Sequence, residues 1–220
     1  MKIKLIFTVT LLLLTNAASA QTKRNNMKNK DILYAPVITP EFETFDTIRY
    51  QKIKEEGEPY GSEILPDGVE IFMTKGDNYY AYNEIHPSSY FFIRKVYYLN
   101  NNIWAKGAAF NYEDFRKGIW YFYDESGNLT ETIDYDKPFK FTFEKVMEFC
   151  KKEGIHFKPG DVEWGVEVYL PAIKREYIAE FNECWWEIRW LNRKLGKVET
   201  IRLDGVTGKE ISRKYMDYIR

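Results

Sequence analysis

Histidine and cysteine are scarce in this chain, with two of each among 220 residues. His86 lies in the turn-like stretch EIHPSS and His156 follows a helix stop. Neither has a second His, Cys or Asp at metal-ligand spacing, so no metal site and no cofactor is expected. Ser88 and Ser89, beside His86, lack the strand–turn–helix setting of a nucleophile elbow. Glycine-rich phosphate loops are missing as well. Without these constellations no catalytic residue is expected. A long apolar run is also wanting. The one stretch of that kind, Leu5 to Leu14, is shorter than the roughly 20 residues that span a bilayer. It follows Lys2 and Lys4 and precedes Ala18-Ser19-Ala20, the pattern of a secretory signal peptide cut near Ala20. The expectation is an exported chain, periplasmic or extracellular, with no membrane span after the cut. Excess charge of either sign is missing too. Removing Lys2 and Lys4 leaves 30 basic against 33 acidic side chains, a formal charge of −3. That argues against nucleic acid as a partner, which calls for a concentrated basic surface.

What the chain does have is aromatic residues, 17% of it, set among 30% charged residues. That mixture points to patterned sheets rather than disorder. Residues 21–33 are polar, basic and without period, and a flexible leader is expected over 21–38. In TPEFETFDTIRYQKIKEEG the spacing predicts a helix, with Thr39 as N-cap, Pro40 in the first turn and Gly57 as stop. Phe42, Phe45, Ile48 or Arg49, and Ile53 would form its apolar stripe.

From about residue 60 to 136, short aromatic and β-branched runs alternate with turn signals. They are VEIFM, YYAYNEI, SYFFIRKVYYL, IWAKGAAF, GIWYFYD and NLTETIDY. Such spacing predicts an antiparallel meander of hairpins. Trp120 and Phe122 fall on one face, and Ile119, Tyr121 and Tyr123 on the other. Asp124 and Glu125 sit in a solvated turn in which Gly127 supplies a positive φ. The unit recurs at about 25 residues: Tyr98 corresponds to Tyr123, and Asn100-Asn101-Asn102 to the turn, with Asn102 in the place of the glycine. LPDGVEIFM is a third, degenerate copy.

The stretch from Val96 to Tyr135 resembles the MORN-variant repeats of bacterial secreted and antitoxin-labelled proteins. Gly118, Trp120, Tyr123, Asp124 and Gly127 fit their Gly-x-Trp-x-x-Tyr-Asp-x-x-Gly pattern. The resemblance implies stacked hairpins with a binding or scaffolding role.

Residues 139–220 read differently. TFEKVMEFCKKEGI predicts an amphipathic helix capped by Thr142 and stopped by Gly154, with Phe143, Val146, Met147 and Cys150 as its stripe. DVEWGVEVYL, CWWEIRW, KVETIRLDG and KEISRKYMDYI read as strands, while residues 171–182 fit strand or turn. This region is similar to the PepSY type of secreted domain, through Trp186-Glu187-Ile188 and the Asp204 to Thr207-Gly208-Lys209 turn. It implies a noncatalytic module, linked in some relatives to protease propeptides. Asp204, Thr207 and Gly208 would close the turn.

The fold class expected is therefore α+β: a helix with hairpin repeats over 39–138, then a helix on an antiparallel sheet over 139–220. Cys150 and Cys184 face one core, and a disulfide between them would close a loop of about 35 residues and contribute about 3–4 kcal/mol. Two unpaired buried thiols are the alternative. Trp120, Trp164, Trp186 and Trp190 read as core. Tyr121, Tyr169 and Trp185 have the opposite parity and are the surface candidates for binding. The expected function is noncatalytic binding of another protein through the repeat sheet. A protease modulator and a glycan-active enzyme stay open as alternatives.

Overall fold

The computed structural model describes residues 36–110, 115–160 and 171–217. The signal segment, most of the leader and the expected strand DVEWGVEVYL, with Trp164 and Tyr169, lie outside the described residues.

The α+β expectation holds in part: the described chain is mainly β, with two short helices. Seven strands form one antiparallel meander, in the order β1 (Tyr60–Ile64), β2 (Glu70–Lys75), β3 (Tyr80–Ile85), β4 (Phe91–Tyr97), β5 (Ile103–Phe110), β6 (Phe115–Tyr123) and β7 (Leu129–Asp134). Four more form a second antiparallel sheet: β8 (Ala172–Ile178), β9 (Glu183–Asn192), β10 (Lys197–Asp204) and β11 (Glu210–Asp217). The ambiguous stretch 171–182 resolves into β8 followed by a turn.

The first helix is α1, Thr47–Ile53, and not one that begins after Thr39. Asp46 is its N-cap and accepts from Arg49 N at 2.9 Å. The preceding segment is claimed by the sheet. Phe45 N donates to Asn101 O (2.8 Å), and Ile103 N donates to Glu43 O (3.1 Å). The β5–β6 ladder begins only at Ala105↔Phe122, so residues 101–103 accept this segment instead. Of the expected stripe, Phe45 is buried, whereas Ile48 is 83% exposed.

The second helix, α2, spans Phe143–Glu153 as the pattern required. Gly154 ends it in the left-handed region (φ 77°), and Ile155 N returns to Cys150 O at 2.8 Å. Thr142 occupies the N-cap but makes no side-chain capping bond.

Three hairpin turns share one hydrogen-bond pattern. Leu65, Tyr98 and Asp124 each donate their N–H to the carbonyl four residues on, at 2.8, 2.9 and 3.0 Å. Gly68, Asn101 and Gly127 close the same turns with φ of 85°, 73° and 85°. The counterpart of Gly127 is thus Asn101, not Asn102. Asparagine tolerates the left-handed region better than other residues with a side chain.

Three buried clusters organise the packing. On β4, Phe91 and Tyr97 lie towards opposite ends of one face. At the Tyr97 end, Phe45, Tyr50, Ile71, Met73, Ile103 and Tyr123 gather. At the Phe91 end, Phe110 and Phe115 meet α2 (Phe143, Val146, Cys150) and the second sheet (Ile173, Trp186, Ile188, Ile201, Leu203) in one continuous core. The Phe143 ring lies 4.9 Å from Phe91, and Phe115 lies 5.4 Å from Trp186. α2 is therefore packed with both sheets. Each large apolar side chain buried here contributes roughly 1.5–3 kcal/mol. On the opposite face of β4, Phe92 packs with Ala105, Ala109 and Trp120. The Trp120 indole covers Gly107, where a Cβ would stand 2.2 Å from the ring, and donates to Ala108 O at 2.9 Å.

Candidate functional site

Two polar arrangements stand out against this framework. One is a row across the face shared by Phe91 and Tyr97. Tyr82 pairs with Lys95, Lys95 with Lys106, and Lys106 with Tyr121 on successive strands. Lys106 is 3% exposed in its side chain, and its Nζ reaches Glu43 Oε1 (2.8 Å) and the Glu41 carbonyl. Lys95 Nζ reaches the other oxygen of the same carboxylate at 2.5 Å. Burial acts to raise the Glu43 pKa, but hydrogen bonds from Lys106 and Lys95 outweigh it and hold the group below the usual range. Tyr97, in the same network, is pushed well up by burial and then by the Glu43 charge. Tyr82 is likewise pushed up, by burial and by Glu84. Glu84 accepts from Tyr82 OH (3.0 Å) and lies 2.8 Å from His86 Nε2.

The other arrangement is a cleft of about 800 Å³ at the joint between the sheets. Its walls come from the ends of β6 and β7, the 135–140 connection and β8. Arg175 anchors it. The guanidinium donates to Asp136 Oδ1 (2.7 Å) and to Arg116 O, and stacks on Phe115, Phe139 and Trp186 at 4.8, 4.7 and 5.4 Å. Lys117 holds the second oxygen of Asp136. Burial would raise the Asp136 pKa, yet Lys117 and Arg175 together hold it below the usual carboxylate range. Arg116 lies over Trp120 (4.5 Å) and donates to Tyr135 OH at 2.6 Å. Lys137 and Lys140 line the cleft and are exposed, as is Tyr177. Four cations against Asp134 and Glu176 make this lining net positive.

The residues singled out in the sequence are dispersed. Asp124 Oδ1 accepts from Ser126 N (3.0 Å) and Asn128 N (2.9 Å), and these bonds, led by those from Asn128, lower its pKa. Asp204 Oδ1 accepts from Thr207 Oγ1 (2.7 Å) and Thr207 N (2.6 Å), and Gly208 N returns to Asp204 O at 2.9 Å. Both acids thus close turns. Gly118 (φ 63°) lies where three residues of β6 oppose Gly107 of β5. Tyr121 is half-buried at the end of the lysine row, packed against the Tyr97 cluster. Trp185 is half-exposed, with Arg202 5.6 Å above its ring. Cys150 and Cys184 are buried free thiols. Cys184 Sγ is turned to Pro138 O (3.4 Å), and burial pushes the Cys150 thiol up to about 12. His156 is exposed. Among the described residues no three His, Cys, Asp or Glu side chains converge as metal ligands.

Sequence reasoning passed over Lys106, Glu43, Asp136 and Arg175. The one signal was a lysine inside the otherwise apolar strand IWAKGAAF. No family model, curated protein or solved structure matches the chain.

Proposed function

We propose that this is an exported, noncatalytic binding protein whose partner is another protein, held at the cleft between the two sheets. The observation that carries the reading is the cleft itself. It has about 800 Å³ of space and aromatic walls in Phe115, Tyr135, Phe139 and Tyr177, and its cations outnumber its acids. Clefts of that size that combine apolar walls with a few placed polar groups are the usual form of a small-ligand site, and against a protein partner this one would seat a few anchoring side chains. The lining favours an acidic segment with an apolar side chain. The stacked and bonded Arg175 fixes the back wall, while Lys137 and Lys140 stay exposed for a ligand. Three turns of one geometry support a hairpin-repeat scaffold for this site. Export rests on the pattern of residues 1–20 alone.

A photo-crosslinking residue at position 177 tests the reading in the native envelope. The expected result is an adduct with one partner protein that disappears in the Lys137→Glu/Lys140→Glu variant. A hydrolytic or transfer activity abolished by substitution of a single Asp or Glu would overturn it.

A further inference from the structure

We propose that the surface beneath residues 41–45 is a second peptide-binding site, occupied in cis, whose external ligand is an extended acidic peptide with a carboxylate two residues before an aromatic. It is separate from the cleft. The segment EFETF binds as a short strand. Thr44 bridges Asn102, Phe45 N donates to Asn101 O, and Ile103 N donates to Glu43 O. Alternate side chains then point to the sheet. Glu43 meets Lys95 and Lys106, and Phe45 stacks on Tyr80 at 4.5 Å and tilts against Tyr97 at 5.3 Å. Thr44 faces outward and is exposed, while Phe42 is about half exposed with its ring laid against Gly127. Main-chain pairing plus pockets for every second side chain is how extended peptides dock on sheets.

The occupant fits imperfectly, and the misfit defines the ligand. Two ammonium groups share the one Glu43 carboxylate, one of them on the 3%-exposed Lys106 side chain. Glu84, the nearest acid on that face of β3, is engaged by Tyr82 and His86. The Tyr123 hydroxyl is buried with no hydrogen-bond partner among the described residues, and its ring lies 5.8 Å from Lys106 Nζ. Two cations on one carboxylate leave this site one negative charge short, and an unpaired buried hydroxyl carries a desolvation cost. A peptide with the same carboxylate-to-aromatic spacing competes for the two lysines, and one that also brings a further acceptor to Lys106 and Tyr123 gains over residues 41–45. An attached segment competes at an effective concentration in the millimolar range, so the site is closed to weaker ligands.

The probe is a labelled synthetic peptide of residues 39–47, titrated into full-length protein by fluorescence anisotropy. Two variants loosen the resident segment: Glu43→Gln, which keeps its shape, and Glu43→Gln/Phe45→Ala. Circular dichroism and a thermal melt identify which variants are folded. The expected result is at least tenfold tighter binding to a folded loosened variant than to the unmodified chain. Lys95→Glu in that background should remove the gain, and Lys137→Glu/Lys140→Glu should leave it intact. If no folded loosened variant gains affinity, or if Lys95→Glu leaves the gain in place, the inference is wrong, whatever the fate of the cleft.

Discussion

Replacing Asp136 by Asn tests the joint between the sheets. The substitution keeps size and shape but removes the carboxylate that faces both Lys117 and Arg175. Arg175 is 5% exposed in its side chain and Lys117 14%, while Asp136 is 33% exposed. Breaking a fully buried pair typically costs about 3–5 kcal/mol. Because water reaches one side of Asp136, we expect about 2–3 kcal/mol. For a protein of this size that lowers Tm by about 5–10 °C. Arg175→Met keeps the stem against Phe115, Phe139 and Trp186 and removes the charge, so it should cost less, about 1 kcal/mol. The double variant should then be more stable than the two losses predict, by about 1–2 kcal/mol. Urea unfolding of the four proteins at pH 7 measures this. The pH dependence gives a second reading. The Asp136 pKa is lower folded than unfolded, so its contribution is complete above the unfolded value of about 4 and fades as pH falls through the folded one. The gap between the native chain and Asp136→Asn should therefore close in acid. A loss under about 0.5 kcal/mol, or no coupling with Arg175, would refute this account of the joint.

Other expectations are simpler to check. Asn101→Ala should destabilise the protein by about 1–2 kcal/mol in a thermal melt, because alanine resists the left-handed region; Asn101→Gly should not. Gly107→Ala should cost about 1–3 kcal/mol and change the tryptophan emission, since the new methyl group collides with the Trp120 indole. Cys150 and Cys184 should resist alkylation in the folded protein and each take one label in urea. A bridged peptide in non-reducing mapping would contradict the free-thiol arrangement.

The hairpins β2 to β7 and helix α2 were readable because their signals are local. Alternating aromatics, turn residues and a 3.6-residue stripe each act within a dozen positions. The stretch 39–46 misled for the same reason. Thr39-Pro40-Glu41 imitates a helix start, and only pairing with residues 101–103 decides otherwise. The candidate sites were hidden because their partners are far apart in sequence. Lys106 and Glu43 are separated by 63 positions, Arg175 and Asp136 by 39. Nothing in either neighbourhood announces the other. The repeat, too, lies one residue out of step with its sequence pattern, because three consecutive asparagines offer no glycine to fix the register.

The sharing of α2 between the sheets carries a consequence for biogenesis. Strands β1 to β6 leave the ribosome before residue 143, so Phe91, Phe110 and Phe115 have no lid until α2 and β8 to β10 follow. A stalled or clipped product that ends near residue 140 would present a greasy, ring-lined end to its surroundings, prone to clumping and attractive to chaperones. The last third of the polypeptide thus acts as the closing step for strands made long before it.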